Sequence, residues 1–138
     1  ESHPLTMQDT VDWPDLADQP FISFTRASSV RRITDRAFAA AGFTPSRTVS
    51  AGTISAVAGL CAAGLGVSAV PGFVIPMTRV AGVVTRPLST GAVTRRIGVL
   101  QDADRAATPA VEEFLALVRG STGAQLRLPE FTRWTGLD

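Results

Sequence analysis

The apolar residues of this chain fall into short groups of two different periods, separated by Gly, Pro, Ser and Thr. Residues 10–18 carry two anchors, Val11 and Leu16, in a short helical turn. After Pro20, the bulky run Phe21 to Phe24 predicts a strand. Ser28 or Ser29 can cap the next element, a helix over Ser29–Ala41. Val30, Ile33, Ala37, Phe38 and Ala41 trace one face of it. Arg31 and Asp35 lie off that face as an i,i+4 ion pair. Gly42 suits the position just past the helix, and Pro45 stops any continuation.

The alternation repeats downstream. Arg47 to Ala51 is a second predicted strand, Gly52–Thr53 turns the chain, and Thr53 can cap a helix to Ala63. Ile54, Val57, Leu60 and Cys61 form its stripe, and Gly64 ends it. Val67 to Val70 predicts a third, buried strand, closed by Pro71–Gly72, with one helical turn over Phe73–Met77 that Pro76 disturbs. Val83–Leu88 and Arg95–Leu100 predict further strands, the second with Arg95, Ile97 and Val99 alternating against Arg96, Gly98 and Leu100. Thr108-Pro109 opens a last helix striped by Val111, Phe114, Leu115 and Val118 and ended by Gly120. Residues 121–138 carry no periodic signal.

This order predicts an α/β fold with a mostly parallel sheet flanked by helices. Ligands of such sheets bind beyond the carboxyl ends of the strands, at helix N-termini. The rule selects three loops as binding elements: Thr25, Arg26, Ser28 and Ser29 in the first, Gly52, Thr53 and Ile54 in the second, Pro71, Gly72 and Phe73 in the third.

Composition narrows the chemistry. The 138 residues hold one cysteine, Cys61, and one histidine, His3, which excludes a disulfide framework, a thiolate zinc site and His-pair metal motifs. Cys61 lies on an apolar stripe, as a buried inert thiol would. His3 precedes Pro4 near the chain start and suits packing better than catalysis, while Glu112 and Glu113 compensate a helix dipole. We therefore expect no catalytic residues, no metal and no cofactor, and not an enzyme. Gly64-Leu65-Gly66-Val67-Ser68-Ala69 matches a loose dinucleotide fingerprint, but its order is helix, glycines, strand, so the glycines meet a helix C-terminus that repels phosphate.

Charge is uneven. Residues 1–19 hold five acids and no arginine, residues 20–100 nine arginines and one acid, and residues 101–138 four arginines and six acids. A cationic middle favours an anionic ligand. From Thr48 to Thr78 no residue is charged, but Pro71, Pro76 and five glycines argue for a buried helix and strand over a membrane span. No signal peptide opens the sequence, and a reducing, cytoplasmic setting is expected.

Several of these segments resemble one family. His3-Pro4-Leu5, Asp15-Leu16-Ala17, Pro20-Phe21-Ile22, the run Leu60-Cys61-Ala62-Ala63-Gly64-Leu65-Gly66-Val67 with Val70-Pro71, then Arg86-Pro87-Leu88, Arg96–Leu100 and Thr108-Pro109-Ala110 with Phe114 are similar, in order and spacing, to the effector-binding domain of LysR-type transcriptional regulators. Cys61 stands where that family usually has valine. The resemblance covers residues 3–119. It implies a type II periplasmic-binding-protein-like fold of two lobes around a cleft for a small effector, often a carboxylate. Residues 20–100 resemble the second lobe, residues 1–19 and 101–120 remnants of the first, and residues 121–138 form a tail. It also implies self-association, and promoter DNA bound only through an N-terminal domain. This chain shows no helix-turn-helix and no first half of the first lobe, and so reads as a fragment, a truncation or a degenerate form. A periplasmic-type solute-binding transport protein shares the fold and is the alternative. The stripe of the last helix, together with Val11, Trp13 and Leu16, lacks an evident partner. We expect it to drive self-association or to fold back onto residues 1–19.

Overall fold

The computed structural model describes residues 3–79, 82–88 and 93–136. Strand β1 (Phe21–Phe24) and strand β2 (Thr48–Ala51) pair in parallel, with Phe21 opposite Thr48 and Phe24 opposite Ala51. Helix α1 (Ser29–Ala40) connects them, and helix α2 (Ile54–Ala62) follows β2. A 3-10 segment, Gly72–Thr78, comes next, and helix α3 (Pro109–Gly120) lies far downstream. The α/β reading and the parallel direction of the sheet are therefore observed, with start points within one residue of those expected for both strands and all three helices.

Two apolar clusters hold this β-α-β-α unit together. Phe21 and Ile22 alternate across the sheet and so feed opposite sides. On one side Phe21 joins Val11, Trp13, Leu16, Ala37, Phe38 and Ala69; on the other Ile22 and Phe24 join Val30, Ala51 and Val57. Phe38 is the hub of the first cluster, edge-on to both Trp13 and Phe21 at ring-centroid distances of 5.4 and 4.8 Å. Val11, Trp13 and Leu16 thus have a home in the core of the unit itself. They do not wait for α3, as the sequence suggested.

The glycines after α2 have clear tasks. Gly64 adopts φ +74°, which ends the helix without the steric penalty a Cβ brings. Gly66 passes against the backbone of Pro20, where a Cβ would overlap the Pro20 carbonyl. That approach lets Val67 N–H donate to Pro20 O (2.9 Å) and Ile22 N–H donate to Val67 O (2.7 Å).

Three expected strands are corrected. Val67–Val70, expected as a third, buried strand, lies beside β1 but forms a single bridge, Val67 to Phe21; only Ala69 of the four is buried. Pro71, with no N–H to give, follows at once. Val83–Leu88 makes one bridge, Leu88 to Val11, with Val11 N–H donating to Pro87 O (2.9 Å); Arg86 turns outward and donates to Thr6 O (2.7 Å). Arg95–Leu100 forms no strand, and Leu100 is fully exposed. Its alternation is genuine, but among the described residues it pairs with no strand. The stripe of α3 is also largely unpartnered: Leu115 is buried and Val118 half-buried, while Val111, Phe114 and Leu117 are exposed. Among the described residues no helix is long and apolar enough to cross a membrane.

Candidate functional site

The two parallel strands end level, because Phe24 and Ala51 are register partners. Thr25 N–H donates to Ala51 O (3.2 Å) and extends the ladder by one step. The chains then turn, and each starts a helix within a few residues. Ser28 caps α1, its Oγ accepting from Val30 N–H at 3.2 Å; Thr53 caps α2, its Oγ1 accepting from Ala56 N–H at 3.2 Å. Ser and Thr are suited to this role because a short hydroxyl reaches the free amides of the first turn. Parallel pairing, level strand ends and short turns together set two helix N-termini side by side.

They open onto a cavity of about 550 Å³ lined by Phe24, Ser28, Ser29, Val30, Gly52, Thr53, Ile54, Ser55, Val74, Met77 and Arg95. The floor is apolar, from Phe24, Val30 and Ile54. The rim carries Ser28, Ser29, Thr53 and Ser55. The Ser28 hydroxyl accepts at its cap and keeps its proton to donate outward, while Thr53 Oγ1 also lies 3.2 Å from Ser55 Oγ, a hydrogen bond in which either hydroxyl can donate. Arg95 is the sole charged side chain in the lining, and among the described residues no carboxylate joins it. Two helix N-termini and a guanidinium make the cavity electropositive.

Of the ten residues chosen from the sequence, Ser28, Ser29, Gly52, Thr53 and Ile54 meet at this cavity. Thr25, Arg26, Pro71, Gly72 and Phe73 are outside its lining. The third loop contributes through the residues after it: in a 3-10 turn positions i and i+3 eclipse, so Val74 and Met77 share the face toward the cavity. That spacing was readable in the sequence. Arg95 was not. It sits in a segment whose alternation predicts a strand, and only tertiary placement brings it to the rim.

The remaining candidates have structural roles. His3 caps the first 3-10 turn, its Nδ1 accepting from Leu5 N–H at 3.3 Å, while its Nε2 pairs with Gln19 Oε1 at 3.1 Å. Cys61 is half-buried against the second cluster, and burial pushes its thiol pKa up, away from reactivity. Arg31 Nε holds Asp35 at 2.7 and 2.8 Å on the exposed side of α1.

A family model described as the LysR substrate binding domain matches residues 1–123. The chain belongs to that family. Membership implies a type II periplasmic-binding-like fold, of which the parallel β1–β2 pair and its helices are the part seen most clearly. Two bacterial regulators are similar to it: an uncharacterized HTH-type transcriptional regulator, YbhD of Escherichia coli K12, 28% identical over 116 residues, and the transcriptional dual regulator GltC of Bacillus subtilis 168, 28% identical over 117 residues. The alignments cover 84% and 85% of this chain but 37% and 39% of those proteins, so the chain spans under two fifths of either relative. Both relatives carry the names of regulators of transcription.

Proposed function

We propose that this chain senses a small organic anion on behalf of a LysR-type regulator. The observation that carries the reading is the convergence of two capped helix N-termini, α1 and α2, on one cavity whose charged lining residue is Arg95. The apolar floor accommodates a carbon skeleton or ring, and the electropositive rim takes a carboxylate. Ser28 donates its hydroxyl proton to it, the hydrogen-bonded Thr53–Ser55 hydroxyl pair offers one more, and Arg95 supplies charge. Thr25 and Arg26 stand on the loop leading to the first cap and Gly72 on the approach to the third wall, so they act at the margin of the site.

In this reading the lobe's core runs from Val11 to Leu88. The packing of Trp13 and Leu16 with Phe38 and Ala69 supports adding residues before 20 to it, and the exposure of Arg95–Leu100 supports ending it earlier than residue 100. Residues 93–120 then belong with the other lobe, apart from Arg95 at the rim. Self-association through the exposed Val111, Phe114 and Leu117 of α3, promoter binding through another domain, and action in the cytoplasm complete the proposal.

The test is a chemical-shift titration with benzoate and with its neutral amide, benzamide. Benzoate should move the amides of Ser28, Ser29 and Thr53, and benzamide should bind at least about tenfold more weakly, since it lacks the charge that the helix ends and Arg95 select. Equal binding of the two, or shifts confined to residues 121–136, overturns the reading.

A further inference from the structure

The family match ends at residue 123, yet the chain continues, and the continuation is packed against the lobe. Trp134 anchors it at one point: its Nε1 donates to Ser121 O at 3.0 Å, and its Cβ lies 3.5 Å from where a Cβ on Gly123 would stand. A second contact lies further away in the fold. A Cβ built on Gly72 would come 2.5 Å from Glu130 O and 2.9 Å from the Cβ of Phe131. Phe131 itself is held at φ +59°, a conformation unfavourable for a bulky residue and kept only when its surroundings impose it.

Gly72 is the first residue of the 3-10 segment that supplies Val74 and Met77 to the cavity. Its φ is not positive, so its backbone tolerates alanine. What requires glycine here is the approach of residues 130–131. We propose that residues 124–136 form a strap that braces Gly72–Thr78 from behind, so that the third wall of the cavity holds its place only while the strap is seated. The functional part of this inference rests on the cavity being the effector site; the strap itself does not. Through it, any event that lifts the tail, such as cleavage or a partner competing for Phe131, changes how firmly the cavity grips its ligand.

Hydrogen exchange on the 138-residue chain tests the strap without a ligand. Gly72→Ala should unseat residues 130–131 and raise exchange at Val74, whose N–H bonds Pro71 O at 3.0 Å, and at Ile75 and Thr78. The expected rise is about tenfold or more. Gly59→Ala, where a Cβ meets open space, is the control and should leave these amides unchanged. In a chain ended after Gly123, exchange at the same amides should already be fast, and adding Gly72→Ala should change nothing further. If the shortened chain does not fold, Trp134→Ala in the full chain, which removes the strap's hydrogen bond to Ser121 O, replaces it and should reproduce the Gly72→Ala effect. Unchanged exchange in Gly72→Ala, or an equal additional rise in the shortened chain, overturns the strap. Benzoate affinity is measured in parallel and should fall about tenfold in Gly72→Ala, as expected when a preorganised wall is lost. Fast exchange with unaltered benzoate affinity overturns the coupling to the cavity. Wild-type protein that binds no benzoate argues against the proposed site, while exchange still decides the strap.

Discussion

Gly66 and Pro20 meet backbone to backbone, and their contact joins the end of α2 to the start of β1. Gly66 carries φ +153° and leaves no space for a Cβ beside the Pro20 carbonyl. Gly66→Ala therefore meets both strain and overlap, and it also endangers the two hydrogen bonds between Val67 and the Pro20–Ile22 backbone. We expect a loss of about 3 kcal/mol, read from urea unfolding. Gly42→Ala also faces a positive φ, +80°, but no overlap, and should cost less, about 1 kcal/mol.

The aromatic hub gives a second expectation. Phe38→Ala removes a ring that touches Trp13, Phe21 and Phe43 and opens a void in the first cluster. The cost should be about 3–5 kcal/mol. Phe114→Ala, on the exposed side of α3, should cost under about 1 kcal/mol in the folded monomer. If α3 is the self-association surface, the same change should shift the sedimentation profile toward monomer.

Stability and binding should separate at the rim. Ser28→Ala and Thr53→Ala each lose a helix cap, about 1 kcal/mol in stability, and weaken benzoate binding as well. Arg95→Gln should weaken benzoate binding and leave thermal stability nearly unchanged, because Arg95 is exposed. Calorimetric titration beside thermal melts checks the contrast.

Cys61 provides the pH dependence. Burial raises its thiol pKa in the folded protein, whereas the unfolded chain has the ordinary value, 9.0. The folded state therefore holds its proton more tightly. This contribution is complete below the unfolded pKa and is lost as pH rises from there through the folded value. Denaturant midpoints should fall across that window, and Cys61→Ser should flatten the fall. Alkylation by iodoacetamide near pH 8 should be slower in the folded chain than in urea.

Much of this architecture was legible from local signals. Phe21–Phe24, the Ser28 and Thr53 caps, the terminating Gly42 and Gly64 and the Thr108-Pro109 helix start are decided by neighbouring residues, through backbone sterics and hydrogen bonds within one turn. For that reason their expected positions hold to within a residue or so. The rule that ligands meet the carboxyl ends of parallel strands then brought Ser28, Ser29, Gly52, Thr53 and Ile54 to one place, because register and helix starts follow from the same local signals. The order of family-like segments was local too, and the family match bears it out.

What depended on the path of a long loop lay beyond the sequence. Arg95–Leu100 alternates like a strand, but alternation describes one edge, and a strand exists only where a second edge accepts its hydrogen bonds. Trp13 and Leu16 look like anchors in search of a helix, yet Phe38 claims them from within the lobe. Arg95 reached the cavity rim, and Glu130–Phe131 reached Gly72, through chain paths whose ends lie far apart in sequence. Local sterics act within one helical turn and are written in adjacent residues. The closing of long loops is set by the packing of the whole molecule, and that the tertiary structure alone decided.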